Sequence, residues 1–209
     1  MIYAENVLIC IAVPLIISLL FIRGGARRFV LSFLAGMVAC LLAAYVGGFI
    51  ENASGMKAED TSVFISPIIE EVMKLIPVLL CLMLFEPADD KLISFSVGIG
   101  AGFATFENCC YVLSYSAQSL PYVMIRGLAV GVMHLVSMVA LAIGLNLLRR
   151  YKVFRFPGVL GALSLAMTFH ATYNLLVSKT GLSSIMGYAL PIITALLLYL
   201  KGKIFFEKK

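Results

Sequence analysis

The chain has 209 residues, of which 62% are hydrophobic and only 13% are charged, and its mean hydropathy is +1.04. Soluble domains carry about 25% charged residues, so this composition excludes an ordinary soluble protein and indicates an integral membrane protein. A net charge of +5 would suggest a nucleic-acid partner in a soluble protein. Here we expect the lipid bilayer and no nucleic acid as partner, because the basic residues cluster in the loops between apolar segments.

Seven apolar segments predict helices that cross a membrane. In chain order they are 7–22, 29–50, 63–85, 93–113, 122–148, 156–177 and 185–200. Most are close to the roughly 20 residues that an α-helix needs to cross the hydrocarbon core of a bilayer. The connections are short and no soluble domain separates them. We therefore predict an all-α, polytopic transmembrane bundle of about seven helices that forms a single domain over residues 1–209.

The distribution of Lys and Arg predicts the orientation of this bundle. If the helices alternate, 12 of the 16 Lys and Arg lie on one side, in RGGARR, RRYKVFR and KGKIFFEKK and at Lys91. The loops on the opposite side hold only Lys57 and Lys179. Because basic loops stay in the cytoplasm, the N-terminus is predicted outside and the C-terminus inside. The front end MIYAEN is acidic, so we expect the first segment to be a retained helix and not a signal peptide.

A few charged or histidine residues nevertheless fall within the predicted helices. They are Glu70, Glu71, Lys74, Glu107, Arg126, His134 and His170, with Asn108 and Asn174 as polar companions. Charged side chains inside a membrane are costly and are rarely kept without a function. Counted from the outer helix ends at about 1.5 Å per residue, the carboxylates and histidines on four helices lie at a similar depth, in the outer half of the bilayer. The sequence therefore predicts a polar cluster inside the bundle.

Spacing within the segments supports shared helix faces. In EEVMK, Lys74 follows Glu71 by three residues and Glu70 by four, so the lysine can neutralise either carboxylate. In HATYN, His170 and Asn174 are four residues apart and lie on one stripe. The glycines of VGIGAGF and RGLAVGVMH predict close packing of the fourth and fifth helices. A buried ion pair of Glu70 with Lys74, which holds the third helix in register, is the structural alternative to a catalytic role.

Such a cluster could activate water in two ways. A carboxylate can take the proton of water while imidazole and amide groups stabilise the oxyanion, which requires no cofactor. Two histidines and a glutamate can equally bind a catalytic zinc ion with one open position, with Glu71, Glu107, His134 and His170 as the candidate ligands. The spacing leaves both mechanisms open. Arg126, near the outer boundary, is interpreted as a helix-pairing or snorkelling residue, and Asn108 as an interhelical hydrogen-bonding residue.

Four segments on successive helices, EEVMK, GFATFENCCY, MHLVSMVALAIG and HATYN, together resemble the PrsW family of intramembrane proteases. The related proteins are the type II CAAX prenyl proteases and their bacterial homologues, and the family-like core spans about 63–177. The resemblance implies hydrolysis of a peptide bond in a membrane-anchored protein from the extracytoplasmic side, as in site-1 cleavage of an anti-sigma factor. It also implies a multi-pass protein of the bacterial plasma membrane.

The resemblance assigns roles to the residues that match its motifs. The predicted catalytic residues are Glu70, Glu71, Glu107, His134, His170 and Asn174, with Lys74, Asn108 and Arg126 in support. One of the paired glutamates is expected to be the general base. Glu107 and His134 are expected to position water or share its proton, and His170 and Asn174 to stabilise the oxyanion. Glu107 stands where CAAX proteases have a histidine, so the division of work between carboxylate and histidine can differ here.

Two other functions are compatible with parts of this pattern. A non-catalytic scaffold of the same superfamily would keep the bundle and lose turnover, but the chain retains both glutamates, both histidines and Asn174. A proton-coupled carrier could use the buried acids as a relay. The sequence has no inverted repeat or duplicated interrupted helix, which are the usual signs of a carrier. The protease is therefore the favoured prediction.

Overall fold

The computed structural model describes the backbone of residues 4–114, 119–150 and 155–206, and within these ranges it is built of helices without a strand. The elements are α1 (Ala4–Ser18), α2 (Gly24–Ser54), α3 (Ala58–Asp60), a π-helical stretch (Thr61–Ile65), α4 (Ser66–Phe85), α5 (Asp89–Ser114), α6 (Leu120–Arg150), α7 (Arg155–Val177) and α8 (Leu182–Phe206). All but α3 and the π-helical stretch correspond to the seven predicted segments. The predicted all-α helical bundle is confirmed.

Four of these helices, α2, α6, α7 and α8, are long and apolar enough to cross a membrane. The helices α4 and α5 have 20 and 26 residues, so they are also long enough. However, α4 contains Glu70, Glu71 and Lys74, and α5 contains Glu107 beside Asn108. The two long helices that least resemble membrane spans by composition are therefore the ones that carry most of the polar cluster.

Local sequence signals set the ends of α2 and α4. Gly55 lies just after α2 with a φ of 67°, and its N–H bonds the carbonyl oxygen of Glu51, which is the usual glycine cap. Pro67 lies in the first turn of α4, where its missing N–H is not needed by the helix. The π-helical stretch comes directly before this turn, and π-helical turns recur at functional sites. These signals fix the point at which the chain enters the polar part of α4.

The helix α5 packs between α2 and α6. A Cβ at Gly100 would lie 2.9 Å from the carbonyl oxygen of His134, so this glycine allows the close contact with α6 that the sequence predicts. A Cβ at Gly102, in contrast, would overlap the carbonyl oxygen of Phe33 on α2. At Gly131 a Cβ would meet no described atom within 4 Å. The prediction was thus correct for Gly100 and wrong for Gly131, and the sequence did not show that α5 is equally close to α2.

An apolar cluster lies on one side of the polar residues. Its buried members are Leu75, Val78, Leu92, Ile99, Met138, Leu141, Leu145 and Leu163, from α4, α5, α6 and α7. On α4 it follows Lys74, and on α6 it follows His134. Both helices run towards the predicted cytoplasmic side, so the cluster separates the polar residues from that side.

Candidate active site

A fully buried ion pair lies at the centre of the polar cluster. The ammonium nitrogen of Lys74 lies 2.5 Å from Oε1 of Glu71, one turn away on α4, and both side chains are 0% exposed. The ammonium also lies 3.0 Å from Nδ1 of His134 and 3.4 Å from Oγ of Ser137, both on α6. It is 4.9 Å from the ring centre of Phe103 on α5. A buried charge is tolerated only with close partners. Lys74 has such partners on α4, α5 and α6, and its contacts therefore link these three helices.

His170 on α7 is oriented by the same carboxylate. Its Nδ1 lies 2.8 Å from Oε1 of Glu71. An ionised carboxylate can only accept a hydrogen bond, so Nδ1 carries the proton and donates it. The other ring nitrogen, Nε2, then faces Glu70, whose Oε2 is 3.7 Å away. A carboxylate that accepts a hydrogen bond from one ring nitrogen of a histidine fixes the orientation and the tautomer of the ring. Glu71 does this for His170.

Glu70 and Glu71 are neighbours in sequence but have different surroundings. The side chain of Glu70 is 19% exposed and lines a cavity, whereas that of Glu71 is 0% exposed. Both residues have a buried Oε2 without a hydrogen-bond partner in the described ranges. The Oε1 of Glu71, however, is bonded to both Lys74 and His170. Of these two carboxylates, Glu70 is therefore the one that can contact a molecule in the cavity.

A second carboxylate and histidine pair joins α5 to α6. Oε2 of Glu107 lies 2.6 Å from Nε2 of His134. Because Lys74 donates to Nδ1 of this ring, Nε2 carries the proton and donates to Glu107. Arg126 donates to Oε1 of Glu107 at 3.2 Å and to Oδ1 of Asn108 at 2.6 Å. Arg126 and Asn108 thus connect the two helices as the sequence interpretation expected, and Arg126 also holds Glu107 in place.

A cavity of about 930 Å³ adjoins this cluster. Five residues of the polar cluster line it, namely Glu70, Glu107, Arg126, His170 and Asn174. Its wall also includes Glu59 and Asp60 of α3, and Lys179 between α7 and α8. These segments lie on the predicted outer side of the membrane, so the cavity connects the cluster to that side. Glu71 and His134 do not line it, since both are fully buried behind it.

Asn174 lies in the wall of the cavity and contacts the π-helical stretch. Its Nδ2 donates to the carbonyl oxygen of Ser62 at 3.0 Å. This bond fixes the stretch beside the cavity and uses one of the two amide N–H groups. The predicted role of Asn174 in stabilising an oxyanion therefore depends on the second N–H group. Its position one turn after His170 is the one that the HATYN spacing predicts.

Three residues could together hold a metal ion. Donor atoms of Glu70, His134 and His170 all lie within 4.8 Å of one another. Two histidines and one glutamate are a known ligand set for catalytic zinc, and the unpartnered Oε2 of Glu70 is a suitable donor, so the residues fit zinc. In this cluster Glu70 replaces the predicted candidates Glu71 and Glu107, which contact the histidine rings instead. His134 would have to exchange a partner, since Lys74 and Glu107 already contact its two nitrogens.

Ser137 is a member of the cluster that the sequence analysis missed. It is 1% exposed, accepts a bond from Lys74 at 3.4 Å and donates to the carbonyl oxygen of His134 at 3.0 Å. Its only sequence signal is its position one turn after His134. A serine in an apolar helix commonly bonds its own backbone, so the residue type alone did not indicate a role.

Comparison with known proteins gives one family. The sequence model described as PrsW family intramembrane metalloprotease matches residues 25–200, which include all four motif segments and both histidines. No curated protein and no solved structure gave a significant match. The match covers most of the chain, and the carboxylates and histidines converge inside a bundle with apolar, membrane-spanning helices. The chain therefore belongs to the PrsW family of intramembrane metalloproteases.

Proposed function

We propose that the chain is an endopeptidase that hydrolyses a peptide bond of a membrane-anchored protein near the outer face of the bacterial plasma membrane, with Glu70 as general base. An anti-sigma factor with one membrane span is the kind of substrate that the family suggests. The observation that supports the proposal is the cavity, because it connects Glu70 to α3 and Lys179 on the predicted outer side. An apolar cluster closes the opposite side.

The first chemical step needs a group that takes a proton from water. Water in the cavity can contact Glu70, whose carboxylate takes the proton as the oxygen attacks the peptide carbonyl carbon. The protonated Glu70 can then give this proton to the leaving amine. Glu71 is less suited to this step, because Lys74 and His170 bond its Oε1 and its side chain is fully buried.

The second requirement is stabilisation of the negative charge on the carbonyl oxygen. Hydrogen-bond donors held in advance stabilise this charge most effectively. In the cavity the first of these donors is the second amide N–H of Asn174. His170 supplies the other when its ring also takes up a proton on Nε2, since Nδ1 already donates to Glu71. In this mechanism Glu107, which Arg126 and His134 contact, holds the attacking water.

A zinc ion held by Glu70, His134 and His170 would supply a Lewis acid that activates water and polarises the carbonyl. Glu70 would then be a ligand, and Glu71 would orient His170 from behind. A carboxylate outside the ligand set would have to take the proton, and Glu107 lines the cavity. Metal content and resistance to chelation separate the two mechanisms.

The proposal is tested by reconstituting the full chain in lipid vesicles with single-span membrane proteins, anti-sigma factors among them. We expect cleavage on the outer side of the substrate's span and a loss of about 10²–10⁴-fold in Glu70→Gln. Glu86→Gln is the matched control, since Glu86 is exposed at the opposite end of α4. Full cleavage by Glu70→Gln, by Glu71→Gln and by the double variant would refute a base at either of these two glutamates.

A further inference from the structure

Two adjacent glycines of α2 make no close helix contact with the described part of the chain. A Cβ at Gly48 would meet no atom of the described residues within 4 Å, and one at Gly47 would meet only Cδ1 of Ile69, at an ordinary 3.9 Å. On the same helix, a Cβ at Gly36 would overlap the carbonyl oxygen of Ile99. Contact between α2 and α5 therefore requires Gly36 but explains neither Gly47 nor Gly48.

Gly47 and Gly48 instead line a second cavity, of about 320 Å³. Its apolar wall also includes Cys40, Ala43, Ala44 and Phe103. Glu70 and Glu107 line this cavity as well as the larger one. The two cavities thus share the carboxylates at which the proposed hydrolysis takes place.

The shared carboxylates relate the second cavity to the substrate. A peptide whose scissile carbonyl lies beside Glu70 has its neighbouring side chains a few ångströms away along an extended backbone. The α2 side of the second cavity offers small apolar residues and no charge between Cys40 and Gly48. Glu51, the charged α2 residue in its wall, lies in the last turn of that helix. Thr61, Ser62 and Ser66 also line the cavity, so it is the α2 wall that is matched to an apolar side chain.

We propose that the second cavity is a specificity pocket that receives one large apolar side chain of the substrate next to the cleaved bond. The proposal rests on the protease function proposed above. The volume of 320 Å³ is roughly ten times the ~30 Å³ that one water occupies in the liquid, which leaves room for a large side chain. Gly47, Gly48 and Ala44 keep this space open because their side chains are absent or small.

The pocket is tested by filling it at Gly48. The probe is a single-span test protein whose residues on the outer side of its span are randomised, and mass spectrometry of the products identifies the residues that flank each cut. We expect the wild type to prefer a large apolar residue at one flanking position. Gly48→Leu should lower kcat/KM for these substrates at least about tenfold more than for substrates with alanine there.

Gly161→Leu on α7 is the matched control. A Cβ at Gly161 also meets no described atom within 4 Å, and Gly161 lines neither of the two cavities. This variant should keep the wild-type preference. Gly48→Ala makes a smaller change, so it provides the test if the leucine variant does not fold, and it should reduce cleavage beside the largest side chains first.

The outcomes separate the pocket from the proposed function. An unchanged preference in folded Gly48→Leu, or an equal loss for large and small flanking residues in both Gly48 variants, would overturn the specificity pocket while leaving the protease intact. Failure of the wild type to cut any member of the randomised set would overturn the proposed function itself, and the pocket with it. A shift of preference towards alanine in Gly48→Leu that is absent in Gly161→Leu supports both the specificity pocket and the protease function.

Discussion

Replacing the two adjacent glutamates should separate catalysis from stability. Glu70→Gln removes the charge of a carboxylate. The Oε2 of this carboxylate has no hydrogen-bond partner among the described residues. We therefore expect the free energy of unfolding to fall by about 1 kcal/mol or less. Cleavage should fall by about 10²–10⁴-fold, because the general base is removed.

Glu71→Gln should instead destabilise the fold. It leaves the ammonium of Lys74 buried without the carboxylate that lies 2.5 Å away, and both side chains are 0% exposed. Removal of one partner from a buried ion pair typically destabilises a protein by about 3–5 kcal/mol. Replacement of the whole pair by Glu71→Gln with Lys74→Met should recover most of this loss, because no unpaired charge is then buried. Activity should stay low, since His170 and His134 both lose a charged partner.

Both quantities can be measured on the same detergent-solubilised protein. The chain has no tryptophan, so unfolding is best followed through the thiols of Cys40 and Cys81, which are buried in the folded state. A thiol-reactive dye reports their exposure as temperature or denaturant is raised. Cys10 is exposed and would react from the start, so Cys10→Ser serves as the common background. Cleavage is then normalised to the folded fraction.

Two results would refute this reasoning. Equal unfolding midpoints for the two glutamine variants would show that the pair of Glu71 with Lys74 does not contribute as a buried ion pair. Full cleavage by Glu70→Gln, with loss of cleavage in a Glu71→Gln protein that is as stable as the wild type, would transfer the role of base to Glu71.

Three further predictions concern the metal, the orientation and the packing. We expect cleavage to persist after chelation, since protein groups already contact both ring nitrogens of His134; stoichiometric zinc that is lost in His170→Ala would instead assign a zinc site. Lys179→Cys should react with an impermeant thiol reagent outside intact cells and Arg27→Cys only after permeabilisation, and the reverse pattern would invert the bundle. Gly36→Val should lower the unfolding midpoint strongly, because its Cβ would overlap a carbonyl oxygen of α5; an unchanged midpoint would contradict this contact.

The sequence by itself determined the class of the protein and the identity of its polar residues. Hydropathy is a local property, so the seven segments could be located without knowing their neighbours. A charge inside an apolar segment is equally visible, because its cost depends on the membrane and not on the fold. This is why Glu70, Glu71 and Lys74 stood out on α4, and why the family motifs could be read from the order of the segments.

Only the tertiary structure decided which of these residues face each other. Lys74 could pair with Glu70 or with Glu71, since both lie about one turn away, and it pairs with Glu71 because His134, Ser137 and His170 surround that face of α4. Adjacent helix positions point about 100° apart, so Glu70 is turned away from these partners and into the cavity. A single sequence gives spacing along each helix but not the rotation of one helix against another, which packing of the whole bundle determines.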